Sequence, residues 1–322
     1  MRLALQSMRL MLFCVSTIVF AAQAGAVVEP QQIKNGILTV EYWPRDEQVA
    51  QDSLDTLHQT LTDFAQSLPS GGQPIKVTIC RSLQEFQRRA GQYGRAWVGG
   101  ISRTPSGQIA VKAPYLLPQP ADYQGLLRHE LLHVLLARNA GDEYVPRWLN
   151  EGIVMVLSKE NRWGSMARIA RMYVSGRLIP YHNLDFAFLS LGDEVLSGDA
   201  YAEALSLTRF LIDRGGENGF WDLVRTMRHK PFETALLQAT GLKPGQFYEA
   251  WRHSMWMPAV IITAASAFSV FDIMVLLLVL AWFRKRRRNL AILEQWDEEE
   301  WGDGTWQTEY VSPEPWTEEE EE

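Results

Sequence analysis

The chain has 322 residues, 47% of them hydrophobic, and its 31 Lys plus Arg against 38 Asp plus Glu give a formal net charge of −7 at pH 7. The charge is segregated: from Leu290 onward there are 13 acidic residues and no Lys or Arg, whereas Val27 to Met257 carries 24 of each sign. A neutral body excludes the broad basic field that nucleic-acid binding requires, and the length suits one sizeable domain with attachments or two small ones.

In chain order, Arg2 and Arg9 precede the apolar run "LMLFCVSTIVF" and the small-residue stretch "AAQAGA". Residues 1–26 therefore read as a secretory signal peptide, cleaved after Ala24 or Ala26. Cleavage removes Cys14 and leaves Cys80 as the one cysteine, so no intrachain disulfide can form. Residues 27–120 alternate: "GILTVEYW" reads as a strand, Asp46 to Leu68 as an amphipathic helix, "IKVTIC" as a strand, Leu83 to Ala90 as a short helix and "GQIAVKAP" as a third strand. The turn-formers "SGGQP" and "TPSG" separate them. Residues 121–255 are helical almost throughout, with breaks at Gly141-Asp142, Pro180, Gly215-Gly216 and Gly241 to Gly245. The fold class is α+β: a small N-terminal α/β sheet of at least three strands followed by a helical half, in one compact unit.

From Pro258 to Phe283 the sequence "PAVIITAASAFSVFDIMVLLLVLAWF" predicts a transmembrane helix with Trp256 and Trp282 near its two interfaces. The block Arg284 to Arg288 marks the cytoplasmic side, so the body lies outside the cytoplasm, periplasmic or extracellular, in agreement with the signal peptide. Asp272 falls inside this span, where a charge costs roughly 3 kcal/mol on insertion scales. Contact with another membrane protein and a neutral, tolerated carboxyl are both readings of it. Residues 284–322 form the basic block and then an acidic segment expected to be a disordered cytoplasmic tail, whose Trp296, Trp301, Trp306 and Trp316 offer docking points for a partner.

Within "LLRHELLHVLLARNAG", His129-Glu130-Leu131-Leu132-His133 is an H-E-x-x-H motif. Residues four apart share a helix face, so His129 and His133 can direct their imidazoles to one zinc ion, with Glu130 beside the metal as a base for bound water. An all-core helix would have to bury two His and a Glu without partners, which is costly. A catalytic zinc needs a third protein ligand and an open position. Glu151, eighteen residues after His133 in "PRWLNEGIVMVLS", supplies it if Pro146 opens a helix packed across the first. Asp142 and Glu143 are the rival carboxylates.

"HELLHVLL" followed by "PRWLNEGIVMVLS" resembles the gluzincin clan of zinc metallopeptidases, and the ectodomain is similar to the bacterial peptidase MA-like branch of that clan. The resemblance implies a zincin catalytic half, His129, His133 and Glu151 as zinc ligands, Glu130 as general base, and "GQIAVKAP" as the edge strand beside the zinc helix. It also implies a peptide or protein substrate, which an extended segment could present by adding a strand to that edge, with Gly99-Gly100 permitting close approach. "YAEALSLTRFLIDRGG" resembles the helix that follows, making Tyr201 the first choice for oxyanion donor, with His182 and Tyr181 as alternatives. Where thermolysin-like members carry an acidic residue four positions after the glutamate ligand, Met155 stands here, so a backbone carbonyl or another carboxylate must orient the zinc histidine.

Two functions are compatible with these features. One is a membrane-anchored extracytoplasmic zinc metallopeptidase. The other is a non-catalytic zincin-fold assembly or adaptor protein acting through Asp272, the membrane helix and the acidic tail.

Overall fold

A computed structural model describes residues 29–302 except 105, 142–143, 161, 189–193 and 268–269. The signal-peptide region and residues 303–322 of the tail lie outside the described residues.

The sheet has five strands, β1 (Gln31–Asn35), β2 (Leu38–Tyr42), β3 (Ile75–Cys80), β4 (Gly100–Arg103) and β5 (Gln108–Lys112), in the order β1-β2-β3-β5-β4. β2, β3 and β5 run parallel, and β1 and β4 close the two edges antiparallel to their neighbours. The three strands expected from the sequence are the interior ones, since parallel strands covered on both faces read as apolar runs. The two edges carry little such signal: β1 is "QQIKN", and β4 is only four residues long. One expectation is corrected here. "GQIAVKAP" forms β5, an interior strand, and the free edge belongs to β4.

Period-two alternation gives the sheet two different faces. Ile75, Val77 and Ile79 of β3 point into the main core with Leu38, Val40, Ile109 and Val111, under helices α1 (Glu47–Asp63) and α3 (Tyr123–Ala140). The other face carries Lys76, Thr78 and Cys80 and is partly covered by α2 (Leu83–Ala90), whose Phe86 and Ala90 cluster with Cys80 and Ala110. Burial pushes the Cys80 thiol up to about 12, so it stays protonated.

The helical half comprises α4 (Arg147–Leu157), α5 (Arg162–Val174), α6 (Tyr181–Ala187), α7 (Glu194–Thr226), α8 (Phe232–Thr240) and α9 (Pro244–Ser254). A kink at Gly216, with φ 71°, breaks α7 where the Gly215-Gly216 pair predicts a break. Leu127, Leu131, Leu132, Leu135 and Leu136 of α3 are wholly buried, each contributing roughly 1.5–3 kcal/mol of transfer free energy, which fixes this helix between the sheet and α4. Gly152 lets α4 lie directly on α7: a Cβ there would fall 2.5 Å from the Ala204 carbonyl oxygen.

The chain divides into a unit ending at Thr263 and a second beginning at Ala264. Near this boundary the expected continuous span over Pro258 to Phe283 is distributed between α10 (Trp256–Ala267) and α11 (Val270–Gly302). Among the described residues no helix is long and apolar enough to cross a membrane, because the apolar part of α11 ends at Phe283, before the basic block. Asp272 sits in the first turn of α11 rather than midway along a span. The basic block and the start of the acidic segment continue that helix to Gly302, where the sequence suggests an unstructured tail.

Candidate metal centre

His129 and His133 lie one turn apart on α3, and α4 brings Glu151 across to them. The Nε2 atoms of the two histidines are 2.9 Å apart. Glu151 Oε2 is 3.4 Å from His133 Nε2 and 3.6 Å from His129 Nε2. The three side chains offer ligand atoms within 4.8 Å of one another. Glu151 Oε2 is buried and has no hydrogen-bond partner, an arrangement that is expensive unless a cation occupies the point it faces. Two imidazole nitrogens and one carboxylate oxygen at these separations fit a zinc-type donor set with one position left for water.

The ring nitrogens that face away are both engaged. His133 Nδ1 meets Asn150 Oδ1 at 2.6 Å, and His129 Nδ1 makes a short contact with Glu160 Oε1. Because an acceptor oxygen binds each Nδ1, the proton of the neutral ring stays there and Nε2 keeps its lone pair for a metal. This answers the question raised by Met155, which is buried in α4. The carboxylate that orients His129 comes instead from Glu160, beyond the end of the helix. Ser158 closes α4, Lys159 adopts φ 61°, the one positive φ of a non-glycine residue among those described, and the reversed chain returns Glu160 to His129. Ser158 Oγ steadies the carboxylate by donating to Glu160 Oε1 at 3.1 Å.

Electrostatics follow from this packing. Burial works to raise the Glu151 carboxyl, but the two imidazoles overcome it and hold its pKa far below the usual carboxylate range. Burial likewise opposes charge on His129, yet the nearby Glu151 and Glu160 carboxylates keep its pKa well above the ordinary value. Glu130 behaves differently. Burial raises its pKa, and the neighbouring histidines and a hydrogen bond with Ser102 only partly offset the rise. A carboxylate poised above its usual pKa beside a metal point is suited to accept a proton.

The edge strand closes this side of the site. Gly100 opens β4 where a Cβ would stand 2.8 Å from Glu130 Cγ and Oε1, so the absence of a side chain lets the strand press against the carboxylate. The glycine pair therefore serves close approach to α3, with Gly99 against Leu126. Asp185 of α6 accepts from Trp148 N at 3.0 Å and from Tyr144 Oη at 2.5 Å, supplying the N-terminal cap that Pro146 cannot give to α4.

Around these groups lies an open cleft of about 770 Å³, bounded by Trp97 and β4 on one side and by Tyr144, Arg147, His182 and Tyr201 on the other. Tyr201 packs edge-on to Phe188 with ring centroids 5.0 Å apart, and its pKa is pushed well above the ordinary value by burial and by Glu151, Glu130 and Glu160. It stays a protonated donor. His182 also reaches the cleft, whereas Tyr181 packs at a tilt against Tyr248 with centroids 5.9 Å apart. Asp142 and Glu143 lie outside the described residues.

A model of the peptidase MA superfamily matches residues 49–257, most of the chain, including both ligand-bearing helices. The chain belongs to the peptidase MA superfamily. No curated protein matches it. The peptidase MA match spans β3 to β5 as well as the helical half, so the strand pressed against Glu130 is part of the zincin-like peptidase domain. The sequence points to the four motif residues but not to Asn150, Glu160 or Ser102, and it ties Gly99-Gly100 to the approach of substrate, where Gly100 meets Glu130 instead. Asn150 had a signal in its position next to Glu151. Glu160 had none, because its reach depends on the backbone reversal at Lys159.

Proposed function

We propose that the protein is a membrane-anchored, extracytoplasmic zinc metallopeptidase that hydrolyses peptide bonds. The observation that carries this reading is the orphaned, buried Glu151 Oε2 facing two imidazoles whose outer nitrogens are tied to Asn150 and Glu160. His129, His133 and Glu151 would hold the ion. When bound, zinc polarises the scissile carbonyl and makes a water acidic enough to attack at neutral pH.

The chain's own groups do the rest. Glu130 accepts the water proton on its carboxylate and returns it to the leaving amine, a role its raised pKa favours. Ser102 and Gly100 fix that carboxylate against the edge strand. Tyr201, protonated and lining the cleft, donates to the tetrahedral oxyanion. An extended substrate adds to the free edge of β4 through backbone hydrogen bonds that do not depend on its sequence.

Anchoring is supported by the apolar sequence from Pro258 to Phe283 and by the side chains from Ile273 to Leu280, Trp282 and Phe283 in α11, all large apolar groups left exposed. Such a helix is unsuited to water on every side. The basic block after Phe283 would face the cytoplasm, and the signal-like N-terminus would place the peptidase domain outside it.

Met155, standing where an acidic residue would orient a zinc histidine, favours the adaptor reading, and that support weakens once Glu160 serves as the orienting carboxylate. The experiment that tests the peptidase reading is Glu130→Gln. The variant should keep its zinc and lose peptide hydrolysis by about 10²-fold or more, as expected for a general base. Cleavage of a peptide library at the wild-type rate would remove Glu130 from the mechanism.

A further inference from the structure

On the face of the sheet opposite the core, a second pocket of about 300 Å³ is lined by Lys76 of β3, Arg88 and Arg89 of α2 and Arg103 of β4, with Thr78 and Gln108 between them. Peptide hydrolysis makes no use of it. We propose that this pocket binds a phosphate group, either inorganic phosphate or the headgroup of a phosphomonoester.

Four cations from three elements converge on one small concavity. Among the described residues Glu41, buried on β2, pairs with two of them: Lys76 Nζ lies 2.6 Å from Glu41 Oε2 and Arg89 Nη2 lies 2.7 Å from Glu41 Oε1. Burial raises the Glu41 carboxyl, but Lys76 and Arg89 bring its pKa below the usual value, so it stays charged and pins both cations at the pocket wall. Glu85 comes within 3.8 Å of Arg89, but its oxygens already accept from Trp43 Nε1 at 3.2 Å and from the Arg81 backbone at 3.0 Å.

Arg103 and Arg88 are not neutralised. Arg103 Nη2 donates to the Arg89 carbonyl at 2.7 Å, which anchors the guanidinium without cancelling its charge. Arg88 forms no ion pair among the described residues. The local surplus is positive, although the body of the protein is neutral. Like charges held together in a concavity repel unless an anion joins them. The guanidinium forks of Arg88 and Arg103, the Lys76 ammonium and the side-chain amide of Gln108 match the several acceptor oxygens of a phosphate. Lys76 and Arg89 remain about two-fifths exposed, so a solute reaches them.

The pocket backs directly on the peptidase site. Along β4, Ser102 turns to Glu130 while Ile101 and Arg103 turn to the pocket, so the two sites share one edge strand through opposite faces.

The test uses the full chain in detergent, stripped of metal by chelator so that no ion at the histidines can take up phosphate. Calorimetric titration at low salt with inorganic phosphate, and separately with dihexanoyl phosphatidic acid, should give saturable binding that weakens as salt is raised. R88Q/R103Q, which leaves Glu41 and its two partners intact, should lower the affinity at least about tenfold with an unchanged melting temperature. Should the double variant fail to fold, each single variant should weaken binding by about threefold or more. Equal affinity for the two probes identifies free phosphate as sufficient, and a clear preference for the lipid identifies a headgroup; either upholds the site. No saturation by either probe up to about 10 mM, or undiminished affinity in the folded variants, overturns it.

Discussion

Two glutamates in this protein, each with a buried carboxylate oxygen, have opposite fates. Glu151 on α4 and Glu203 on α7 each leave a buried Oε2 without a hydrogen-bond partner. Glu151 faces two imidazole nitrogens at 3.4 and 3.6 Å, and its pKa is driven far below the usual range. Glu203 accepts from the Ile179 backbone N–H at 2.6 Å, and burial pushes its carboxyl up to about 8, with Asp199 one turn away adding to the rise. Burial by itself thus produces a neutral acid. It produces a cation site only where other lone-pair donors are aimed at the same point and are held there, as Asn150 and Glu160 hold the histidines.

The comparison breaks first on metal binding. Glu151→Gln should weaken zinc affinity by more than about 100-fold in competition with a chelator, since loss of a ligand should exceed the 10–100-fold typical of its supporting partners. Glu203→Gln should leave zinc affinity unchanged; an equal loss in both variants would mean that burial, not the converging imidazoles, defines the site.

The next effect is on stability against pH. Glu203 has a folded pKa of about 8, raised from the ordinary 4.5, so the folded state holds its proton longer than the unfolded chain. Its contribution is fully present below about pH 4.5 and is lost as pH rises through 8. Glu203→Gln, which cannot ionise, should therefore gain on the order of 2–5 kcal/mol over wild type at pH 9 and little at pH 4, read from denaturant unfolding at the two pH values. An identical pH profile in both proteins would show that Glu203 does not titrate this way.

Smaller changes sharpen the Glu151 side. Glu160→Gln should reduce zinc affinity about 10–100-fold while leaving the ligands in place. An unaltered affinity would show that the contact with His129 does not tune the metal. The smallest effect expected is for Gly100→Ala, whose Cβ must displace the Glu130 carboxylate. It should lower kcat/KM by about tenfold with zinc retained, a loss of about 1.4 kcal/mol in transition-state stabilisation.

Much of the site was legible because helical periodicity is a strong signal. The H-E-x-x-H spacing on a leucine-rich helix and Glu151 eighteen residues after His133 led directly to the group found in space. The interior strands β2, β3 and β5 were legible through their β-branched and apolar residues between turn-formers. What escaped depends on tertiary contacts. The edge strand β4 has four residues, and its role rests on Gly100 meeting Glu130 from the neighbouring helix. Glu160 acts through a positive φ at Lys159, a residue type that gives no warning of it. The region from Pro258 to Phe283 reads as one apolar run, yet it is divided between α10 and α11, with residues 268–269 outside those described.

The central claim is tested most directly by digesting a peptide library with the full chain stripped of metal and then restored with one equivalent of zinc. The peptidase account predicts cleavage that disappears on stripping and returns with zinc. A chain that binds one zinc tightly yet cleaves no peptide in the library would contradict it and favour the adaptor reading.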